Sequence, residues 1–283
     1  MDLTASLRIF KSLVRRAVNP LSKPAIAYDE GRSKIIADLS TALGLRLYRY
    51  GHFEPEIDLV RKFLKPGDTF IDGGAHVGLF TLVAARKVAS RGRVIAFEPA
   101  PETRGRLLAN INVNGFDWVK VHPLALAEKE KELEFVSFSG NGSGFSSFAP
   151  KHTQGGLKQK ISCVKLDDFI SLDERNKIKL IKLDLEGAEV AALQGATQLI
   201  DQVHPSFLIE VEPEHLKRQG SSANQLIEIL ESRGYKMYRV SWDKKREPIL
   251  KMIMEFSLNS KSPNIFFCPD PELIKSAGLS IDS

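Results

Sequence analysis

The residues with the most chemical content lie in FIDGGAHVGLF, residues 70–80. An apolar run ends on Asp72, a glycine-bearing turn follows, and apolar periodicity resumes at Val77. Such a turn lets a ligand approach the backbone, and the helix after it offers free N–H groups. A dinucleotide fingerprint requires G-x-G-x-x-G. Counted from Gly73 the third position is Ala75, and counted from Gly74 it is His76, so neither register fits. The spacing present is D-x-G-x-x-x-G, made by Asp72, Gly74 and Gly78. An acid there suits a ligand with an amine near the turn, as in the amino-acid portion of S-adenosylmethionine, or a carboxylate that fixes the turn through backbone N–H groups. The pyrophosphate of NAD would be repelled. A turn with no ligand is the plain alternative.

Two further acids stand where strands should end. Glu98 closes RVIAFEP, 20 residues after Gly78, and can accept hydrogen bonds from ribose hydroxyls. Asp184 closes LIKLD in KLDLEGAE, on a strand expected beside the first one across the ligand crevice. Asp184 is the first candidate for base or positioning work, and Glu210, at the end of SFLIEVEP, can share its site. His152, in or near a glycine- and serine-rich loop, can enter the site on closure. Glu186 and Glu189 read more simply as residues of a helix N-terminus. Asp184, Glu186, Glu210 and Glu212 raise an oxygen-ligand site for Mg²⁺ or Ca²⁺. Mg²⁺ is possible here but separate structural roles are favoured, and no histidine spacing suggests zinc.

These residues need a scaffold. TFIDGG is a strand after the Pro66-Gly67-Asp68 turn, and residues 77–89 read as a helix broken by Gly92. RVIAFEP is a strand, 101–114 a helix with proline near its start, and VKVHPLAL holds another strand. KELEFVSF and KISCVKL are strands flanking SGNGSGFSSFAP, an exposed loop of the kind that covers ligands. LIKLDLEGAE, SFLIEVEPEH, YKMYRV and NIFFCP complete the strands, with helices predicted over VAALQGATQLI and SANQLIEILESRG. Residues 35–47 fit a short helix or a strand pair. The alternation is that of an open, doubly wound α/β sheet.

Composition narrows the function. No run of apolar residues is long enough to span a membrane, and no secretory leader is evident. Cys163 and Cys268 are far apart and form no CxxC, which suits ordinary thiols in a reducing cytoplasm. The net charge is +5, but Arg8, Lys11, Arg15, Arg16 and Lys23 stand against Asp2 alone at the N-terminus. The folded body is therefore near neutral, which argues against a nucleic-acid partner. Residues 3–18 form an amphipathic basic pattern. Packing on the main domain is favoured for it, and peripheral contact with an anionic membrane is the alternative.

Taken together, FEPEIDLVRKFLKPGDTFIDGGAHVG, GRVIAFEPAPETRGRLLANINVNG, VKVHPLALAEKEKELEF, GSGFSSF, SCVKLDDF, IKLDLEGAEVAALQGA and SFLIEVEP resemble the FkbM family of S-adenosylmethionine-dependent methyltransferases. The resemblance runs from about Glu54 to Tyr238. It implies a Rossmann-like class I methyltransferase fold, with a seven-stranded sheet whose last strand is antiparallel, over residues 46–268. Residues 1–45 would be a helical extension and 269–283 a tail. It implies methyl transfer to oxygen on a small-molecule or glycan acceptor. By position it implies cofactor contacts from Asp72, Gly74, His76, Gly78 and Glu98, adenine contact near Ala125, and a looser one from Glu54 to the cofactor's amino group. Two other readings stay open: a nicotinamide-dependent oxidoreductase and a cofactor-binding protein without turnover.

Overall fold

In the computed structural model, residues 24–29, 33–39, 41–51, 54–137, 157–256 and 264–282 are described. The basic pattern at 3–18, the loop 139–150 and His152 lie outside these residues. The apolar strands pair into one sheet of nine. Its parallel part is β5 (Val119–His122), β4 (Arg93–Phe97), β3 (Thr69–Gly73), β9 (Ile178–Leu183) and β10 (Ser206–Glu210). β13 (Asn264–Cys268) enters antiparallel between β10 and β11 (Lys236–Trp242). These seven strands reproduce the expected sheet with its antiparallel last member.

The sheet is wider than seven strands. β12 (Pro248–Ile253) pairs antiparallel with β11, and β14 (Ser280–Asp282) adds beyond it in parallel. Neither was legible. PILKMI carries no clean alternation, and SID is too short to declare a strand. The segment expected as a tail thus carries the helix Pro271–Ser276, which buries Ile274, and an edge strand.

Why the sheet holds is visible in neighbouring residues. Phe70, Val94, Leu180 and Leu208 pack on one face, while Ile71, Ile95, Ile181 and Phe207 pack on the other. Successive side chains of a strand point to opposite faces, so a parallel sheet covered on both sides needs continuous apolar runs. Each of these side chains contributes about 1.5–3 kcal/mol by burial. The first face is covered by the helices Pro55–Phe63 and Leu79–Val88, the second by helices from 189 to 203 and Ala223–Glu231.

One predicted helix is two. The chain forms Glu189–Gln194, breaks at Gly195 and Ala196, and restarts over Thr197–Val203. The restart is held from outside: Asp167 accepts from the Gln198 and Leu199 N–H groups at 3.0 and 2.9 Å. A carboxylate on free helix N–H groups is favourable, and one supplied from 30 residues away leaves no local sign.

The segment 33–50 resolves as strand then helix. β2 (Ser33–Asp38) pairs antiparallel with β1 (Pro24–Asp29), and Ala42–Tyr50 is a helix whose N-cap Thr41 accepts from Gly44 N–H. Ile35, Ala37 and Leu39 enter the first-face core. Asn110 and Asn114, one turn apart on the helix Pro101–Asn114, accept from Ile36 and Lys34 N–H at 2.7 and 2.8 Å. A smaller sheet, β6 (Leu124–Leu126), β8 (Leu157–Val164) and β7 (Lys131–Ser137), flanks the far side. VKVHPLAL accordingly splits at Pro123 between two sheets, because proline cannot donate to a ladder.

Candidate active site

Strand order reverses between β3 and β9, and ligands of open α/β sheets bind at such a point, beyond the carboxyl ends of the strands. A cavity of about 510 Å³ lies there. Gly74, His76, Glu98, Ala125 and Asp184 line it, as does Glu54 from the residue before the helix Pro55–Phe63. Six of the expected site residues thus line one cavity. Asp72, Gly78 and Glu210 do not line it: Asp72 and Gly78 lie under or behind the turn, and Glu210 stands behind Glu186 with His215.

The turn is rigid for identifiable reasons. Gly74 has φ +75°, and a Cβ there would collide with the Asp184 carbonyl oxygen. The glycine is therefore required by the packing of the turn on the end of β9, in addition to any ligand. Gly74 and Ala75 N–H both donate to Phe97 O at 3.1 and 3.0 Å. His76 sits at φ 51°, and its N–H donates to Glu98 Oε2 at 2.9 Å. Ala100 N–H donates to Glu98 Oε1, also at 2.9 Å. Each Glu98 oxygen keeps unused lone-pair capacity, and burial pushes this carboxyl up to about 7 despite the two N–H donors.

Beneath the turn lies a buried charge cluster. Asp72 is fully buried, accepts from Thr81 Oγ1 at 2.5 Å through Oδ2, and finds no hydrogen-bond partner for Oδ1 among the described residues. Lys182, 3% exposed, donates to Asp184 Oδ2 at 3.0 Å and lies 4.9 Å from the Phe80 ring centroid. Burial alone would lower the Lys182 ammonium, but Asp184, Asp72 and Glu210 outweigh it and hold it above the ordinary range. Burial raises the Glu54 carboxyl, with Lys182 opposing. Asp184 is the exposed member, with 37% of its side chain open.

A second cluster adjoins it. Glu186 lines the cavity. His215, on the helix Pro213–Arg218, places Nδ1 3.1 Å from Glu186 Oε2 and 3.6 Å from Glu210 Oε2. Glu210 and Glu186 raise the imidazole against the effect of burial. Among the described residues, no three His, Cys, Asp or Glu side chains are grouped so as to hold a metal ion.

Sequence reasoning missed Lys182, His215 and the wall built by Ile36–Leu47, which faces the cavity from the β1–β2 side together with Arg106. Lys182 did leave a sign: a lysine inside the apolar strand IKLIKL must find acids or remain unpaired. His215 left none.

The profile of the Methyltransferase FkbM domain matches residues 72–237, more than half of the chain. A protein named Methyltransferase 1 from Beauveria bassiana is 29% identical over 209 residues, covering 67% of this chain and 80% of that one. The hexuronic acid methyltransferase AglP of Haloferax volcanii is 25% identical over 191 residues, covering 65% and 75%. The crystal structure of a methyltransferase FkbM from Methylobacillus flagellatus aligns with a TM-score of 0.44 and 18% identity, over 80% of this chain and about half (52%) of that chain. With that profile matched over more than half of its length, from the end of β3 across the switch point, the chain belongs to the FkbM methyltransferase family.

Proposed function

We propose that the cavity binds S-adenosylmethionine and that the protein transfers its methyl group to a hydroxyl of a sugar, glycan or other natural product. The observation that carries this reading is that Glu98 and Asp184 line the same cavity, at the ends of the strands on either side of β3 and its Gly74 turn. The chain's residues fit the ligand. Glu98 has lone pairs left for ribose hydroxyls, Ala125 and Leu126 offer an apolar surface for adenine, and Glu54 and Asp184 suit the ammonium and sulfonium charges. When bound, the cofactor supplies a methyl group already activated by positive sulfur.

The protein's work is then positional. Holding donor and acceptor in line and excluding water contribute several kcal/mol each to catalysis. The Lys182–Asp184 pair fixes one carboxylate beside the site without a free side-chain rotation. Glu210 acts on the acceptor side through His215, and His152 is the loop residue to test for entry on closure. The sugar relative supports a hydroxylated acceptor by likeness alone. Residues 3–18 would bring the enzyme to a lipid-linked acceptor; liposome binding that survives their deletion would sink that role.

The test is calorimetric titration with S-adenosylmethionine, S-adenosylhomocysteine and NADH, followed by radiolabelled methyl transfer to a panel of glycosides, uronic acids and macrolides. Micromolar binding of both sulfur ligands and label in a hydroxyl-derived ether support the reading. Binding of NADH in their place, or label only on nitrogen, overturns it.

A further inference from the structure

We propose that Glu186 is the base that takes the acceptor's proton, and that His215, with Glu210 behind it, sets its charge. This rests on the reading of the cavity as a methyl-transfer site. It moves the proton-accepting role from Asp184, whose oxygen is already held by Lys182 at 3.0 Å, to a second carboxylate lining the same cavity.

The geometry begins with the backbone. Glu186 is a non-glycine residue at φ 54°, in the left-handed region that costs about 1 kcal/mol or more. It is held there by its surroundings. Glu189 Oε1 accepts from Leu185 N–H at 2.6 Å and from Gly187 N–H at 3.3 Å. Gly187, at φ +105°, lies so close to the helix Pro213–Arg218 that a Cβ would collide with His215 O. The turn is thus pressed against the residue whose ring meets Glu186. His215 Nδ1 is buried, makes no hydrogen bond among the described residues, and stands at ion-pair distance, 3.1 Å, from Glu186 Oε2. His215 is the ion-pair partner of Glu186 among the described residues, so Glu186 is not neutralised by a lysine or arginine as Asp184 is.

In the step, the acceptor oxygen bonds to the methyl carbon as the carbon–sulfur bond breaks. The bonding pair stays on sulfur, and the acceptor proton passes to a Glu186 oxygen. The groups facing Glu186 are Asp184 and Glu189 from its own turn and helix, Glu210 from β10 and His215. Burial, then Glu210 and Asp184, push its carboxyl up to about 8, and His215 opposes them. A base near neutrality suits an alcohol acceptor.

The test needs no acceptor. Sinefungin carries an ammonium group where the cofactor carries its methyl sulfonium, so its charge probes the spot where the acceptor must sit. Full-length protein is titrated with sinefungin and with S-adenosylhomocysteine from pH 6.5 to 9. Wild type is expected to prefer sinefungin by about tenfold or more, the worth of one charge-assisted hydrogen bond, with the preference growing as pH rises. Glu186→Gln should bring the preference within about threefold of unity while S-adenosylhomocysteine affinity stays within the same margin. His215→Asn should keep the preference but move its onset to higher pH, because the imidazolium no longer favours the ionised carboxylate. Full preference retained in Glu186→Gln, or an unmoved pH onset in His215→Asn, overturns the assignment. Should Glu186→Gln lose S-adenosylhomocysteine as well, the onset in His215→Asn decides. Wild type that binds neither ligand overturns the cofactor reading and this inference with it.

Discussion

Asp72 and Lys182 are register partners on the adjacent parallel strands β3 and β9, and both side chains leave the sheet beneath the helix Leu79–Val88. That places a fully buried carboxylate and a buried ammonium under the floor of the cavity. Asp72 does not reach the cavity, whereas Lys182 lines it and holds Asp184. Removing one partner of such a pair leaves a buried charge uncompensated. Lys182→Met is therefore expected to destabilise the protein by about 3–5 kcal/mol. Asp72→Asn combined with Lys182→Met should recover part of the loss, since the fully buried carboxylate is then removed with its ammonium and the Asp184 carboxylate left behind is open to solvent. Urea unfolding of the three variants measures this. Losses that simply add would show that the two residues do not act as a pair.

Glu98 gives a pH-dependent binding prediction. Its carboxyl stands at about 7 in the free protein because it is buried. In the proposed complex ribose hydroxyls donate to the ionised form, so ligand binding should pull this value down. Affinity for S-adenosylhomocysteine should fall as pH drops below about 7, by at most tenfold per pH unit for one linked proton, and level off above pH 8. Glu98→Gln should bind at least tenfold more weakly at pH 8, because an amide can accept from only one of the His76 and Ala100 N–H groups and sets its NH₂ against the other. Its residual affinity should be flat with pH. Titrations at pH 6, 7 and 8 decide; an unchanged slope in the variant would remove Glu98 from the site.

Asn110 ties the β1–β2 hairpin to the end of the Gly74 turn. It is fully buried, accepts from Ile36 N–H at 2.7 Å and donates to Val77 O at 2.9 Å. Asn110→Ala leaves a partly buried donor, Ile36 N–H, and a partly buried acceptor, Val77 O, unpaired, each at about 1 kcal/mol or more. Hydrogen exchange should speed up in residues 33–38, and S-adenosylhomocysteine affinity should fall about three- to tenfold. Faster exchange with intact affinity would show that the hairpin is a wall in form only.

What could be read in advance follows from what leaves a local trace. The strands TFIDGG, RVIAFEP and LIKLD announce themselves because each is a short, mostly apolar run that ends on a polar residue at the carboxyl edge. A parallel sheet buried on both faces demands that pattern. Asp72, Gly74, Glu98 and Asp184 could be picked out for the same reason, since the switch point lies at those edges. Lys182 could be seen but not interpreted, because its partners come from β3, β9 and β10. His215 meets Glu186 only through the packing of a six-residue helix on a turn 28 residues earlier, which no periodicity encodes. The break at Gly195 and the added strands β12 and β14 likewise depend on contacts supplied from elsewhere in the chain.

The raised carboxyls also predict how stability varies with pH. Glu98 and Glu189 stand at about 7 and Glu186 at about 8, burial being the largest cause in each. An unfolded glutamate titrates near 4.3. Between about pH 4.3 and 8 the folded protein therefore holds more protons than the unfolded chain. A folded value raised in this way contributes stability that is complete below the unfolded value and is lost as pH rises through the folded one. Without ligand, the unfolding midpoint should fall from pH 5.5 to 8.5. Glu186→Gln removes one of the three groups and keeps its shape, so it should melt about 2–5 °C above wild type at pH 8.5 and match it near pH 5. Saturating S-adenosylhomocysteine should flatten the wild-type profile, because Glu98 then ionises inside a hydrogen-bonded complex. Thermal scans at four pH values with and without the ligand measure all three slopes. A Glu186→Gln curve parallel to wild type would mean that this carboxylate ionises freely at neutral pH, and it would remove the basis for its place beside His215.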